Sequence, residues 1–126
     1  MRPYSKKRSL RNRQVAQFRR ALIVEVGRCE LCRQRFGLEV HEICRGPHRE
    51  KALDQRCALL VVCRRCHSER LSSRAEWPES RQLAALKRSR PGDYDLEAYN
   101  ALVGRGPDRI TEEEVSVFFK QREEVR

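Results

Sequence analysis

The apolar positions near the start of the chain recur with helical spacing. Within residues 9–26 they fall three or four positions apart, which places them on one face of an α-helix. Ser9 is a candidate N-cap for this helix, and Gly27 is a candidate terminator. The opposite face is rich in arginine, and it is either simply solvated or also free to meet phosphates. The pattern predicts a basic helix that follows a disordered basic tail over residues 1–8.

Two short apolar segments in the middle of the chain predict a pair of β-strands. Residues 38–43 have a β-like pattern, and the run ALLVV at 58–62 is typical of a buried strand. A polar loop over residues 45–57 separates the two segments. Residues 63–76 predict a helix that stops near Trp77. The expected order is therefore strand, loop, strand and helix.

Two or three helices are predicted after the strand pair. Residues 79–90 form one candidate and residues 95–103 a shorter one. A last helix is expected to start at Thr111, since Thr111 and Glu114 have the spacing of a capping box. The predicted fold class is α+β. Its predicted parts are the tail (1–8), a first unit (9–77) and a helical extension that is acidic at its end (78–126).

The chain carries a net charge of +10, and its basic groups are unevenly placed. Residues 1–28 hold nine basic groups and one acidic group, whereas residues 92–126 hold five basic and nine acidic groups. Such asymmetry is typical of a surface that binds a polyanion, so we expect a nucleic acid as the partner, with an ordinary solvated surface as the alternative. No apolar run approaches the ~20 residues that span a bilayer, and residues 1–10 lack the apolar stretch of a secretory signal. We expect a cytoplasmic protein that has no membrane partner.

The spacing of four of the six cysteines predicts a structural zinc site. Two CxxC pairs are separated by thirty residues, and each pair can form a knuckle with both sulfurs on one side. Such a site is closed, so it stabilises the fold and does not catalyse. Cys44 and Cys57 are expected to be small core residues, with a disulfide under oxidising conditions as the alternative. The predicted zinc ligands are Cys29, Cys32, Cys63 and Cys66.

Two histidines are candidates for a second metal site. His41 lies in the first predicted strand, and His67 directly follows the last zinc cysteine. A strand pair and helix folded around the zinc would bring these imidazoles side by side. Together with Glu42 they could hold a hydrated divalent ion; the alternative is a purely structural role for both.

The stretches CELC, EVHEI and LLVVCRRCHSER resemble the zinc-supported HNH endonucleases, which are also called ββα-metal or His-Me finger nucleases. The resemblance covers roughly residues 26–76. It implies a small ββα-metal finger framed by two zinc knuckles, and hydrolysis of DNA phosphodiester bonds with Mg²⁺, Mn²⁺ or Ni²⁺. It also implies a phage or mobile-element origin, with a second copy of the chain or a phage or host protein as a possible partner.

The resemblance assigns roles to individual residues. His41 lies where the family has its first metal ligand, and His67 lies where it has its last. Glu42 replaces the general-base histidine, and a carboxylate is a weaker base by roughly two pKa units. It is therefore a candidate base or a third metal ligand. Ala58 replaces the motif asparagine, and His48 is a candidate replacement base.

Basic residues flank the unit that carries the resemblance. They would bracket a scissile phosphate, or they are an ordinary basic surface. Because few aromatic residues are present, binding is expected to be mainly electrostatic and weakly sequence-selective. Three functions compete: a metal-dependent DNA endonuclease, a zinc-stabilised nucleic-acid-binding module that has lost cleavage, and a protein adaptor that acts through residues 92–126. The candidate DNA contacts are Arg45, His48, Arg49, Arg64 and Arg65.

Overall fold

The computed structural model describes residues 5–104 and 106–121, which form an α+β fold, as predicted. In chain order its helices and strands are α1 (Lys6–Val26), β1 (Leu38–Glu42), α2 (Arg49–Ala52), β2 (Leu59–Cys63), α3 (Arg64–Glu69), α4 (Glu79–Ser89), α5 (Leu96–Val103) and α6 (Glu112–Phe119). Short 3₁₀ turns precede β2 and α6. No helix in the described ranges is both long and apolar enough to cross a bilayer.

Helix α1 begins three residues earlier than its apolar pattern predicts. Ser5 is the N-cap, and its side chain accepts a hydrogen bond of 3.1 Å from the Arg8 amide. The prediction of disorder over residues 1–8 is therefore wrong for residues 6–8, while residues 1–4 lie outside the described ranges. Gly27 ends the helix as expected, because its φ of 69° is the left-handed conformation that glycine adopts without strain.

The two strands form an antiparallel pair in which His41 lies opposite Leu60. One face of the pair packs on α1, where Leu59 and Val61 of β2 surround Leu22. All five residues of β2 are buried, as its continuous apolar run predicts. On β1, Val40 turns toward α1, so the neighbouring His41 turns toward the opposite face of the sheet.

The opposite face of the sheet meets the main core. This core contains Leu60 and Val62 of β2 together with residues of α4, α5 and α6, such as Leu86, Tyr99 and Val115. It therefore extends on both sides of position 78, where the sequence predicts the helical extension to begin. The predicted capping box at the start of α6 is present, with Thr111 and Glu114 as its members.

Two local predictions are wrong. The helix expected over residues 63–76 is only the short α3, because Leu71 turns into the core and the chain continues through turns. The loop expected over residues 45–57 contains the single turn α2, whose Ala52 is buried. Both differences arise from packing, to which local residue patterns are insensitive.

Candidate metal centre and histidine pair

The four predicted zinc cysteines come together. One ligand atom from each lies within 4.8 Å of the others, and the Cys32 and Cys63 sulfurs are 3.6 Å apart. Tetrahedral zinc with bonds of about 2.3 Å would place its sulfurs about 3.8 Å apart, so the spacing fits. All four side chains are buried. The group could hold a structural metal ion such as zinc.

Each cysteine pair is shaped by its own backbone. The Cys32 amide donates to Cys29 Sγ over 3.5 Å, and the Cys66 amide donates to Cys63 Sγ over 3.4 Å. Cys63 ends β2 and caps α3, so the second knuckle joins the sheet to the helix. The two other cysteines, Cys44 and Cys57, are buried, as expected for core residues.

The structure places His41 and His67 side by side. His41 extends from β1 and His67 from the first turns of α3, and their ring centroids are 5.0 Å apart with 76° between the ring planes. His41 is buried, with 4% of its surface exposed, whereas the His67 side chain is 39% exposed. The pair thus extends from the core to the surface.

A glutamine of α4 determines the tautomer of His41. The Gln82 amide nitrogen donates to the Trp77 carbonyl over 2.8 Å, so the Gln82 Oε1 atom faces His41. Since Oε1 only accepts, the N–H of His41 Nε2 donates to it over 2.8 Å, and Nδ1 keeps its lone pair. Burial lowers the pKa of His41 to about 4, so the ring is neutral at pH 7.

A carboxylate of β1 orients His67 in a similar way. His67 Nδ1 lies 2.5 Å from the Glu39 Oε1 atom, and a carboxylate accepts the Nδ1 proton. In the neutral ring, Nε2 therefore keeps its lone pair. Each imidazole has one nitrogen held by a hydrogen bond and the other left as a potential ligand, which is the usual arrangement of metal-binding histidines.

Glu42 belongs to a different set of contacts. Its two carboxylate oxygens accept hydrogen bonds from Arg19 over 2.9 Å and from Arg49 over 2.8 Å. Burial alone would raise the pKa of Glu42, but these two arginines lower it, so the carboxylate is a weaker base than a free one. Within residues 5–104 and 106–121, only the four cysteines bring three or more potential ligand atoms together. The expected convergence of Glu42 with His41 and His67 is therefore not found.

A shallow hollow of about 400 Å³ lies beside the histidine pair. Both imidazoles, Glu42, Arg45 and Arg49 are among the residues that line it. Glu42 thus borders the hollow, although arginines hold its carboxylate. We call this space the histidine hollow.

The remaining predicted DNA contacts are divided between two places. Arg64 and Arg65 begin α3 and are exposed. His48 lies instead against Gly104 after α5, where a Cβ on Gly104 would come within 3.2 Å of the His48 ring, and it does not line the histidine hollow. This position does not support the alternative of His48 as a replacement base, and its role as a DNA contact stays a prediction.

Ala58 stands where the HNH motif has an asparagine, and its backbone makes a buried contact. Ala58 is fully buried, and its carbonyl accepts a hydrogen bond of 3.0 Å from the Ile43 amide. Backbone atoms thus hold the two strand ends together here, without an asparagine side chain.

Sequence reasoning missed the two residues that orient the histidines. Glu39 is two residues before His41 and therefore on the same face of β1, a signal that alternation could have supplied. Gln82 is 41 residues from His41, and no local pattern connects them. No protein-family model, curated protein or solved structure was found to match the chain.

Proposed function

We propose that the chain is a zinc-stabilised, metal-dependent DNA endonuclease of the HNH type. The observation that supports this proposal most directly is the imidazole pair. His41 and His67 adjoin on a strand and a helix beside four clustered cysteines, and each keeps one nitrogen as a potential ligand. A pair of this kind is what the ββα-metal arrangement implied by the HNH-like residues would require.

Zinc on the four cysteines has a structural role in this proposal. Four protein ligands leave no position for water or substrate, so the centre holds β2, α3 and the first knuckle together. A chain with 37% charged residues has a limited apolar core, and metal binding would add to its folding free energy.

The histidine hollow is the proposed reaction site. His41 Nδ1 and His67 Nε2 would hold a hydrated Mg²⁺, Mn²⁺ or Ni²⁺ ion. When bound, the ion would polarise the scissile phosphate and stabilise the leaving oxygen. Gln82 and Glu39 keep the two rings in the tautomers that such binding requires.

Arginines supply the contacts to phosphate. Arg45 lines the histidine hollow, and Arg64 and Arg65 stand exposed at the start of α3. Guanidinium groups bind phosphate oxygens in a bidentate manner, so these side chains would orient the DNA backbone over the imidazoles. Such contacts read little sequence, which agrees with the expected low selectivity.

Glu42 is the proposed general base, and it would become a better base when it loses one of its two arginine partners. The Arg49 side chain is 55% exposed, so a DNA phosphate can compete with Glu42 for its guanidinium. Losing one of its two arginines would raise the pKa of Glu42 and make it a better base. Arg19, which is more buried, would still hold the carboxylate in place.

A plasmid-nicking assay tests the proposal. Zinc-loaded wild type, His41→Ala, His67→Ala and His48→Ala are compared on supercoiled DNA with Mg²⁺, Mn²⁺, Ni²⁺ or no added ion. We expect ion-dependent nicking that falls at least about 100-fold in His41→Ala and His67→Ala. His48→Ala, the control, should keep the ion dependence of nicking because His48 lies outside the hollow. Circular dichroism shows whether each variant is folded.

Two observations favour a second function. Glu42 is held between two arginines, and no third imidazole or carboxylate among the described residues converges on the histidine pair. These features suit a nucleic-acid-binding module that has lost cleavage. It would shift the plasmid on a gel without nicking it under any ion, and that result would replace the nuclease proposal.

A further inference from the structure

A second hollow lies beside the first cysteine knuckle, apart from the imidazoles. Its volume is about 490 Å³, within the range of ligand sites in proteins. Leu31, Trp77 and Ala85 contribute apolar surface, and arginines surround them. We call this space the knuckle cleft. It shares no lining residue with the histidine hollow.

The charges of the knuckle cleft are strongly biased. Six arginines and three acidic residues line it, which leaves a net charge of +3. The acidic side chains are already occupied: Glu30 binds Arg90, Asp93 binds both Arg56 and Arg90, and Glu25 binds Arg56. These pairs neutralise the acidic groups within the cleft.

Three of the remaining arginines have no polar partner among the described residues. The guanidinium groups of Arg28, Arg33 and Arg70 make no hydrogen bond or ion pair with any other described residue. Like charges gathered around a concave surface repel each other and raise the local positive potential. A bound anion with several oxygens would relieve this repulsion.

Arg33 has an unusual backbone conformation in the first cysteine knuckle. Its φ of 69° makes it the one non-glycine among the described residues with positive φ. Glycine or asparagine would adopt this conformation with less strain. An arginine at this position places a long cationic side chain beside the cleft, where the other two arginines also lie.

We infer that the knuckle cleft binds backbone phosphates of a nucleic-acid strand and so forms a second DNA contact. The choice of DNA rests on the proposed function, whereas the choice of phosphate rests on the arginines. Helix α3 connects the two contacts, because it carries His67 and ends at its C-cap Arg70. A strand held by Arg28, Arg33 and Arg70 would be fixed relative to the histidine hollow.

Salt-dependent binding tests this inference separately from cleavage. Fluorescence anisotropy is measured on zinc-loaded protein with a labelled duplex and a labelled single strand, between about 50 and 250 mM salt and without added divalent ion. The test variant combines Arg28→Gln, Arg33→Gln and Arg70→Gln. The control combines Lys6→Gln, Lys7→Gln and Arg13→Gln, which removes the same charge from exposed positions on α1.

We expect the cleft variant to bind at least about tenfold more weakly near 0.1 M salt, with the slope of log K against log salt reduced by about 2 to 3. The control should change the slope by less than about 1. The arm with the larger loss, duplex or single strand, identifies the form of DNA that the cleft holds. If the triple variant does not fold, the three single variants should each lower the slope by about 1.

Two results would overturn the inference. One is a cleft variant that keeps the wild-type affinity and slope with both DNA forms. The other is a control variant that loses as much as the cleft variant, since charge alone would then explain binding. Failure of the nuclease proposal looks different: no nicking with any ion, while the cleft variant still loses affinity and slope.

Discussion

The four-cysteine centre and the histidine hollow differ in their exposure to solvent and in which parts of the chain form them. The cysteines are buried and come from two short local motifs. The imidazoles extend to the surface and depend on partners from β1 and α4. A closed set of four thiolates suits a stabilising ion, whereas an open pair with free ring nitrogens suits an ion that must also meet water and substrate. Stability and the proposed chemistry are therefore assigned to adjacent but separate sites.

The largest expected effect follows from breaking the cysteine centre. Cys29→Ser, or removal of the metal by a chelator, should unfold the chain, because structural zinc contributes about 10–16 kcal/mol in zinc-finger peptides, while whole domains are stable by about 5–15 kcal/mol. The measurement is a thermal melt followed by circular dichroism, together with the zinc content.

Cys57→Ala is the matched control for that prediction. Cys57 is buried but lies outside the metal centre, so its removal should lower stability by only about 1 kcal/mol and leave the zinc content unchanged. Equal melting curves for wild type and Cys29→Ser would show that the cysteines do not stabilise the fold through a metal.

Replacing Gln82, the residue that orients His41, should have a smaller effect on stability. Gln82→Leu keeps the side-chain volume but leaves the His41 N–H and the Trp77 carbonyl without partners, which should lower stability by about 1–3 kcal/mol. The divalent-ion concentration for half-maximal nicking should rise about 10- to 100-fold, with zinc content unchanged.

Gln82→Glu sharpens this prediction, because a carboxylate can still accept the His41 proton. It should recover part of the ion affinity that Gln82→Leu loses. Gln17→Leu, at an exposed position of α1, controls for the substitution itself. An unchanged ion requirement in Gln82→Leu would separate Gln82 from the proposed site.

The smallest expected effect concerns the arginine-bound carboxylate. The folded chain lowers the pKa of Glu42, so its ionised form contributes stability above the unfolded value of about 4.3, and this contribution is lost as the pH falls through the lower folded value. Glu42→Gln should therefore be less stable than wild type at pH 7 by about 1 kcal/mol, since both ion pairs are partly exposed.

Urea titrations at several pH values measure this difference. The difference in the free energy of unfolding between wild type and Glu42→Gln should be constant near neutral pH. This difference, the gap, should close in acid. Protonation of the zinc cysteines affects both proteins, so the gap isolates the carboxylate. A gap that does not vary with pH would mean that the ion pairs with Arg19 and Arg49 are not responsible. Nicking by the same variant shows separately whether Glu42 acts as the base.

Much of the fold could be predicted where the controlling contacts are local. The end of α1 at Gly27, the capping box of Thr111 and Glu114, and the buried strand after Ala58 all depend on residues within a few positions of each other. The early start of α1 was missed although its cap is local, because Ser5 and Ser9 are both candidate caps and the apolar pattern begins after Ser9. The short α3 could not be predicted in this way, because it depends on burial of Leu71.

Residue spacing alone specified the cysteine cluster. A CxxC knuckle is shaped by its own backbone amides, and a single contact between two such knuckles completes the set of four. Together with the predicted order of strand, loop, strand and helix, residue spacing also indicated which histidines would adjoin. Only the tertiary structure decided that Gln82 holds His41, that arginines hold Glu42, and that His48 packs against Gly104. These contacts join elements far apart in the chain, and their formation depends on how the helices pack around the sheet. The sequence determines which side chains are present, but packing determines which hydrogen-bond and ion-pair partners change their chemistry.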